Sequence, residues 1–157
     1  MIIDSLLRVS GTESAGVVTG QTLKLNATSA VSTNTIDLSL ARDMGEGKEL
    51  YFSFGITTSV ASAATTVQFD IIVSDNADLS SATVLASTGA VAYGSLTAGT
   101  YIYLPVPPKF ASLGKRYLGA QYTTAGNNSS GTGAVVTDVV TAIQDGKKFY
   151  ASGFAIQ

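Results

Sequence analysis

The chain has 157 residues, nine basic and eleven acidic side chains and a net charge of −2. It holds no Cys, His or Trp, which excludes disulfides, thiolate nucleophiles, zinc sites of the usual kind and any mechanism that needs an imidazole base. Charged residues are 13% of the chain, against about 25% in a typical domain, so neither a nucleic-acid surface nor an anionic membrane is indicated as a partner. Ser, Thr and Gly together make up 53 of the 157 residues. This is the composition of a β-rich building or binding module of about one domain's length.

The start, Met1-Ile2-Ile3-Asp4-Ser5-Leu6-Leu7-Arg8, has no positive segment ahead of its apolar residues, and no signal peptide is expected. No run approaches 18 apolar residues, so no membrane span is expected. Ile2 to Val9 reads as a strand, although Leu6-Leu7 blurs its period. Residues 10–32 are polar and weakly patterned, and read as a long loop or arm. Ile36, Leu38 and Leu40 then alternate with Asp37 and Ser39.

Glu49 to Val60 carries the clearest period of two. Leu50, Phe52, Phe54, Ile56 and Val60 take one face, and Ser53, Gly55, Thr57 and Ser59 the other, which predicts a half-buried strand. Thr65 to Ser74 repeats the pattern, with Val67, Phe69, Ile71 and Val73 dry and Thr66, Gln68, Asp70 and Ile72 mostly wet. Ile102, Leu104 and Val106 alternate with Tyr101 and Tyr103, and Leu118, Ala120 and Tyr122 form a shorter strand. Val135–Gln144 and Lys147–Ile156 flank Asp145-Gly146, a pair suited to a type I′ hairpin turn. The β-branched run Val135, Val136, Val139 and Val140 favours strand over the helical alternative for 134–144. Only Ala41–Met44 and Asp78–Ser81 suit a helical turn. Turn residues recur at spacings that suit short strands, so the expected fold is all-β: a single antiparallel β-sandwich over residues 1–157, jelly-roll-like, of about eight strands.

Candidate chemistry fails on spacing or context. Ser112-Leu113-Gly114-Lys115 and Ser74-Asp75-Asn76 match two motifs of penicillin-recognising enzymes, but the third is missing, their order is reversed, and Gly114 opposes the helix that S-x-x-K needs. Asp75, Asn76 and Asp78 resemble a calcium loop, yet Ala77 and Leu79 stand where ligands belong, and a turn explains them. Asp37, Asp43, Glu46 and Glu49 form an acidic cluster interrupted by Arg42 and Lys48, which reads as a solvated, ion-paired loop. No Gly-Lys pair has the glycine spacing of a phosphate loop, and the basic pairs Lys115-Arg116 and Lys147-Lys148 are too few for a nucleic-acid surface. No enzyme activity, metal or cofactor is expected.

Ser32-Thr33-Asn34-Thr35-Ile36-Asp37-Leu38, then Ala41-Arg42-Asp43-Met44-Gly45-Glu46-Gly47, then Leu50-Tyr51-Phe52, and later Lys115-Arg116-Tyr117-Leu118-Gly119-Ala120-Gln121-Tyr122 form a recognisable set. With the Met-Ile-Ile-Asp start, they resemble the capsid cement, or decoration, proteins of short-tailed bacteriophages. The resemblance runs over most of the chain and is sharpest at Ala41 to Gly47. It implies a self-associating jelly roll, a dimer or trimer, on the outer surface of the phage virion. There it would clamp neighbouring major capsid protein subunits and reinforce the shell. It singles out Arg42, Asp43, Gly45 and Gly47 as motif residues, with an intramolecular role or a capsid contact open to them. An exposed strand edge can add to a neighbour's sheet, so Ile2, Ile3, Leu6 and Leu7 on the N-terminal strand are candidate contacts. The alternative is a carbohydrate-binding module using Tyr101, Tyr103 or Tyr122 as a stacking platform; a two-carboxylate glycosidase is a third possibility.

Overall fold

Strands with one apolar face find a stable arrangement when two sheets bury those faces against each other. The computed structural model describes residues 5–23, 28–39, 49–61, 64–107, 114–126 and 132–141. Within them run twelve strands: β1 (Arg8–Ser10), β2 (Thr12–Ser14), β3 (Val17–Thr19), β4 (Gln21–Thr22), β5 (Ser29–Val31), β6 (Ile36–Asp37), β7 (Tyr51–Thr58), β8 (Ala64–Ser74), β9 (Thr83–Ala92), β10 (Tyr101–Pro105), β11 (Tyr117–Gly126) and β12 (Ala134–Val140). One sheet runs β1-β12-β7-β10, with β4 also on β12; the other runs β5-β11-β8-β9, with β6 also on β11.

The pairing is nested. β1 and β4 pair with β12, β5 and β6 with β11, β7 with β10, and β8 with β9, all antiparallel. The chain is thus one long antiparallel ribbon, rolled so that β7 also meets β12 and β8 also meets β11. That is a jelly roll. With β1 and β4 sharing one place beside β12, and β5 and β6 one place beside β11, the described residues fill eight strand positions, the number expected, although the sequence pattern does not predict β9 and Lys147–Ile156 lies outside the described residues.

The core lies where the dry faces meet. Phe52, Phe54 and Ile56 of β7 and Val135 and Val139 of β12 face Val67, Phe69, Ile71 and Val73 of β8 and Leu118, Ala120 and Tyr122 of β11. The rings of Phe54 and Phe69 stand 5.2 Å apart, and Tyr122 meets both edge-on at 6.3 and 6.0 Å. Each large apolar side chain buried here contributes about 1.5–3 kcal/mol, and these three aromatics join the two sheets.

Several expectations need correction. The expected wet faces of β7 and β8 are partly dry: Ser53, Gly55, Asp70 and Ile72 are buried. On the first sheet, the Tyr101 ring and Val136 lie over Gly55; on the second, Leu79 and Ser32 lie over Gly119, the register partner of Ile72. The described part of Ile2–Val9 is not all strand: Ser5–Leu7 is a 3-10 turn and only Arg8–Ser10 pairs. Leu6 and Leu7 are adjacent in sequence, and both are exposed, so no buried face imposes extended alternation there. Asp78–Ser81 is not helical, because Leu79 and Ser81 adopt left-handed backbone (φ 59° and 54°). Residues 134–140 are strand, as the β-branched run predicts; the Asp145-Gly146 hairpin lies outside the described residues. The segment 10–32 carries β2, β3, β4 and β5.

Candidate docking surface

β1 and β4 lie end to end along β12. Arg8 and Ser10 face Asp138 and Thr137, and Gln21 and Thr22 face Val135 and Ala134. Together they amount to one edge strand, interrupted by an excursion that leaves at Gly11 and returns at Gly20. Gly11 has φ +89°, and a Cβ there would stand 2.8 Å from the Thr19 carbonyl oxygen. At Gly20 a Cβ would strike Thr57 Oγ1 and stand 3.0 Å from the Val135 amide nitrogen. The neck therefore requires glycine at both positions.

The excursion is the β2–β3 hairpin. Thr12, Glu13 and Ser14 pair with Thr19, Val18 and Val17. Ala15 and Gly16 close it with φ of 50° and 78°, the signature of a type I′ turn. Every residue from 12 to 19 is exposed. Val17 and Val18 are 65% and 42% exposed, although adjacent strand residues point to opposite faces. A two-stranded ribbon is marginal on its own, and this one leaves a β-branched pair open to water on both faces.

The root of this arm is pinned from both sides of the first sheet. On the outer side, Arg8 Nε donates to Asp138 Oδ1 at 2.9 Å, and Arg8 Nη1 lies 3.4 Å from Glu13 Oε2 on β2. Arg8 and Asp138 are buried. Burial pushes the Asp138 carboxyl above the usual carboxylate range, and Arg8 pulls it partly back. On the inner side, the Tyr122 hydroxyl bonds Ser10 Oγ at 2.5 Å and Thr137 Oγ1 at 2.7 Å. Burial raises its phenol well above the usual tyrosine value, while both hydroxyl contacts pull the other way. Ahead of β1, Leu6 is 83% exposed and Leu7 36%.

The Bbp16 family model matches residues 17–140, from the start of β3 to the end of β12. The chain belongs to the Bbp16 family. The match takes in 124 of the 157 residues and strands of both sheets. No curated protein matches the chain.

Leu6 and Leu7, two of the predicted contacts, precede the Bbp16 match and stand exposed beside the arm's root; Ile2 and Ile3 lie outside the described residues. Arg42, Asp43, Gly45 and Gly47 fall inside the Bbp16 match but outside the described residues, as do Glu46, Lys48 and Ser112. Asp37 lies on strand β6 rather than in a loop, and it pairs with Arg116, just ahead of β11: two hydrogen bonds of 2.7 Å hold its carboxyl down at about 2. Lys115 pairs with Asp75, so two fragments of the apparent penicillin-recognising motifs meet as a surface ion pair. Asp78 accepts from the Ser80 amide and hydroxyl at 2.9 and 2.7 Å, and the Asn76 carbonyl accepts from the Leu79 amide at 3.0 Å. These groups serve a turn. Among the described residues, no three His, Cys, Asp or Glu side chains gather as metal ligands would.

The tyrosine platform needs a correction. Tyr122 is buried in the core and offers no face. Tyr101 and Tyr103 do share a face, but their rings stack on each other at 6.4 Å and 12°, and Tyr101 also covers Gly55. Sequence reasoning read residues 10–32 as a long loop or arm but missed the paired strands within it. Their signals were Ala15-Gly16 beside Val17-Val18 and the two glycines, Gly11 and Gly20, that frame them.

Proposed function

We propose that the chain is a capsid cement, or decoration, protein that binds the outside of an assembled phage head and clamps neighbouring major capsid subunits. The observation that carries this reading is the glycine-necked arm, an exposed hairpin with apolar residues on both faces, set into an otherwise paired edge strand. The resemblance of Ala41–Gly47 and Lys115–Tyr122 to capsid cement proteins supports it, and so does membership of the Bbp16 family, whose name points to a phage protein.

The role is mechanical and asks for no nucleophile, metal or cofactor. A protein that binds the assembled shell but not free subunits stabilises the shell by mass action. Many copies acting together make each modest contact count. Self-association as a dimer or trimer, and a place on the outer surface of the virion, belong to the same reading.

The test is co-sedimentation of the purified chain with heads of the encoding phage that lack it, followed by challenge with heat or chaotrope. Binding together with raised resistance is the expected result. Heads that neither bind the chain nor gain resistance would sink the proposal.

A further inference from the structure

We propose that the arm docks by strand addition along its β3 edge, at Val18, onto an uncharged strand edge of a shell subunit. The inference rests on the cement reading and names the element and the chemistry through which it works. In a two-residue I′ hairpin the pair flanking the loop exchanges both ladder bonds, here Ser14 with Val17. At the next pair, Glu13 and Val18, the backbone N–H and C=O therefore point out of the ribbon. β2 is tied back to the sandwich by the Glu13 to Arg8 contact; among the described residues β3 carries no such tie, and it presents Val17, Val18 and Thr19 without charge. Glu13 is the arm's one ionisable side chain and faces Arg8, so the complementary surface is uncharged and apolar enough to cover the two valines.

Size decides between a shell and a second copy of this chain. A stable pairwise interface takes about 20–30 residues a side, whereas the arm offers the eight residues from 12 to 19. It is too small to hold a dimer in solution by itself. The same small contact, repeated over a shell whose subunits are already fixed in place, becomes strong by multivalency.

The experiment compares wild type with Val18→Pro and Val18→Lys in binding to heads that lack the chain. Proline removes the outward N–H and leaves the two flanking ladder pairs intact; lysine keeps the N–H but places a charge on the edge. The arm stands outside the core, so both variants should melt with wild type. Each should lose at least about 10-fold in head affinity. If Val18→Pro disturbs the fold, Val18→Lys decides. Variants that bind as wild type overturn the proposal, as does a solution dimer of wild type that either substitution abolishes, because the occupant is then a second copy. If wild type itself fails to bind heads, the cement reading falls first. Amide exchange of the free protein still judges this one: Val18 should exchange much faster than Val17, and equal protection overturns it.

Discussion

Replacing Tyr122 by Phe tests what holds the two sheets in register at the arm's root. The ring's contacts with Phe54 and Phe69 survive the change, so the loss is confined to one oxygen. That oxygen joins Ser10 and Thr137, both fully buried. Two hydrogen bonds at about 1 kcal/mol each disappear, and two hydroxyls are left inside with part of their desolvation uncompensated, at about 1–3 kcal/mol each where they find no other partner. The expected loss is about 2–4 kcal/mol, or roughly 5–15 °C in melting temperature for a chain of this size, read by circular dichroism. The asymmetry of hydrogen bonding supplies a second arm to the test. Adding Ser10→Ala and Thr137→Val removes the stranded hydroxyls, so the triple variant should be more stable than Tyr122→Phe alone. There is also a pH signature. Burial raises the folded phenol far above its unfolded value of 10.0. Stability is then fully present below pH 10 and is lost as the pH rises beyond it, because the unfolded chain releases the proton first. Tyr122→Phe should flatten that alkaline decline. A melting shift under about 2 °C, together with a triple variant no better than the single one, would refute the reasoning.

Three further expectations follow from other contacts. Arg8→Met strands the buried Asp138 carboxylate and should cost about 3–5 kcal/mol at pH 7. Because the folded Asp138 carboxyl sits above 3.8, that cost should shrink as the pH falls through its folded value and the group becomes neutral; a melting penalty that stays constant from pH 7 down to the acid limit of the folded state would contradict this. Gly119→Ala puts a methyl group into Leu79 and 2.8 Å from Ser32 Oγ. It should cost about 1–3 kcal/mol by overpacking, with partial recovery on adding Leu79→Ala, measured by urea unfolding. Arg116→Gln should let Asp37 titrate upward from about 2 towards its ordinary 3.8 in a carbon-detected NMR titration. The depressed carboxyl supports the fold above pH 3.8 and ceases to as pH falls towards 2, yet the pair is exposed, so melting at pH 7 should hardly move.

The long strands were legible because burial of one face imposes alternation. Phe52-Ser53-Phe54-Gly55-Ile56 and Val67-Gln68-Phe69-Asp70-Ile71 carry it plainly, and β7 and β8 form there. The outer faces were misread because what covers them comes from elsewhere in the chain. Nothing near Gly55 in sequence announces Tyr101, and nothing near Gly119 announces Leu79. The strands within the arm were illegible for the opposite reason. From Thr12 to Thr19 both faces meet water, so no core selects a pattern, and the segment reads as a polar loop or arm without strands. Tyr101 and Tyr122 looked alike as aromatics on strands. Tyr122 pairs with Phe69 on the inner face and Tyr101 with Gly55 on the outer.

The absence of Cys, His and Trp, the scarcity of charge and the period-two runs settle by themselves that this is a β-sandwich with a limited chemical repertoire, because they are local or compositional properties. The rolled ribbon bringing β1 and β4 to β12, the ion pair of Arg8 with Asp138 across 130 positions, and the projection of the hairpin at Gly11 and Gly20 were decided only by tertiary structure. Those features depend on which surfaces the folded chain leaves uncovered, and coverage is a property of contacts between distant segments.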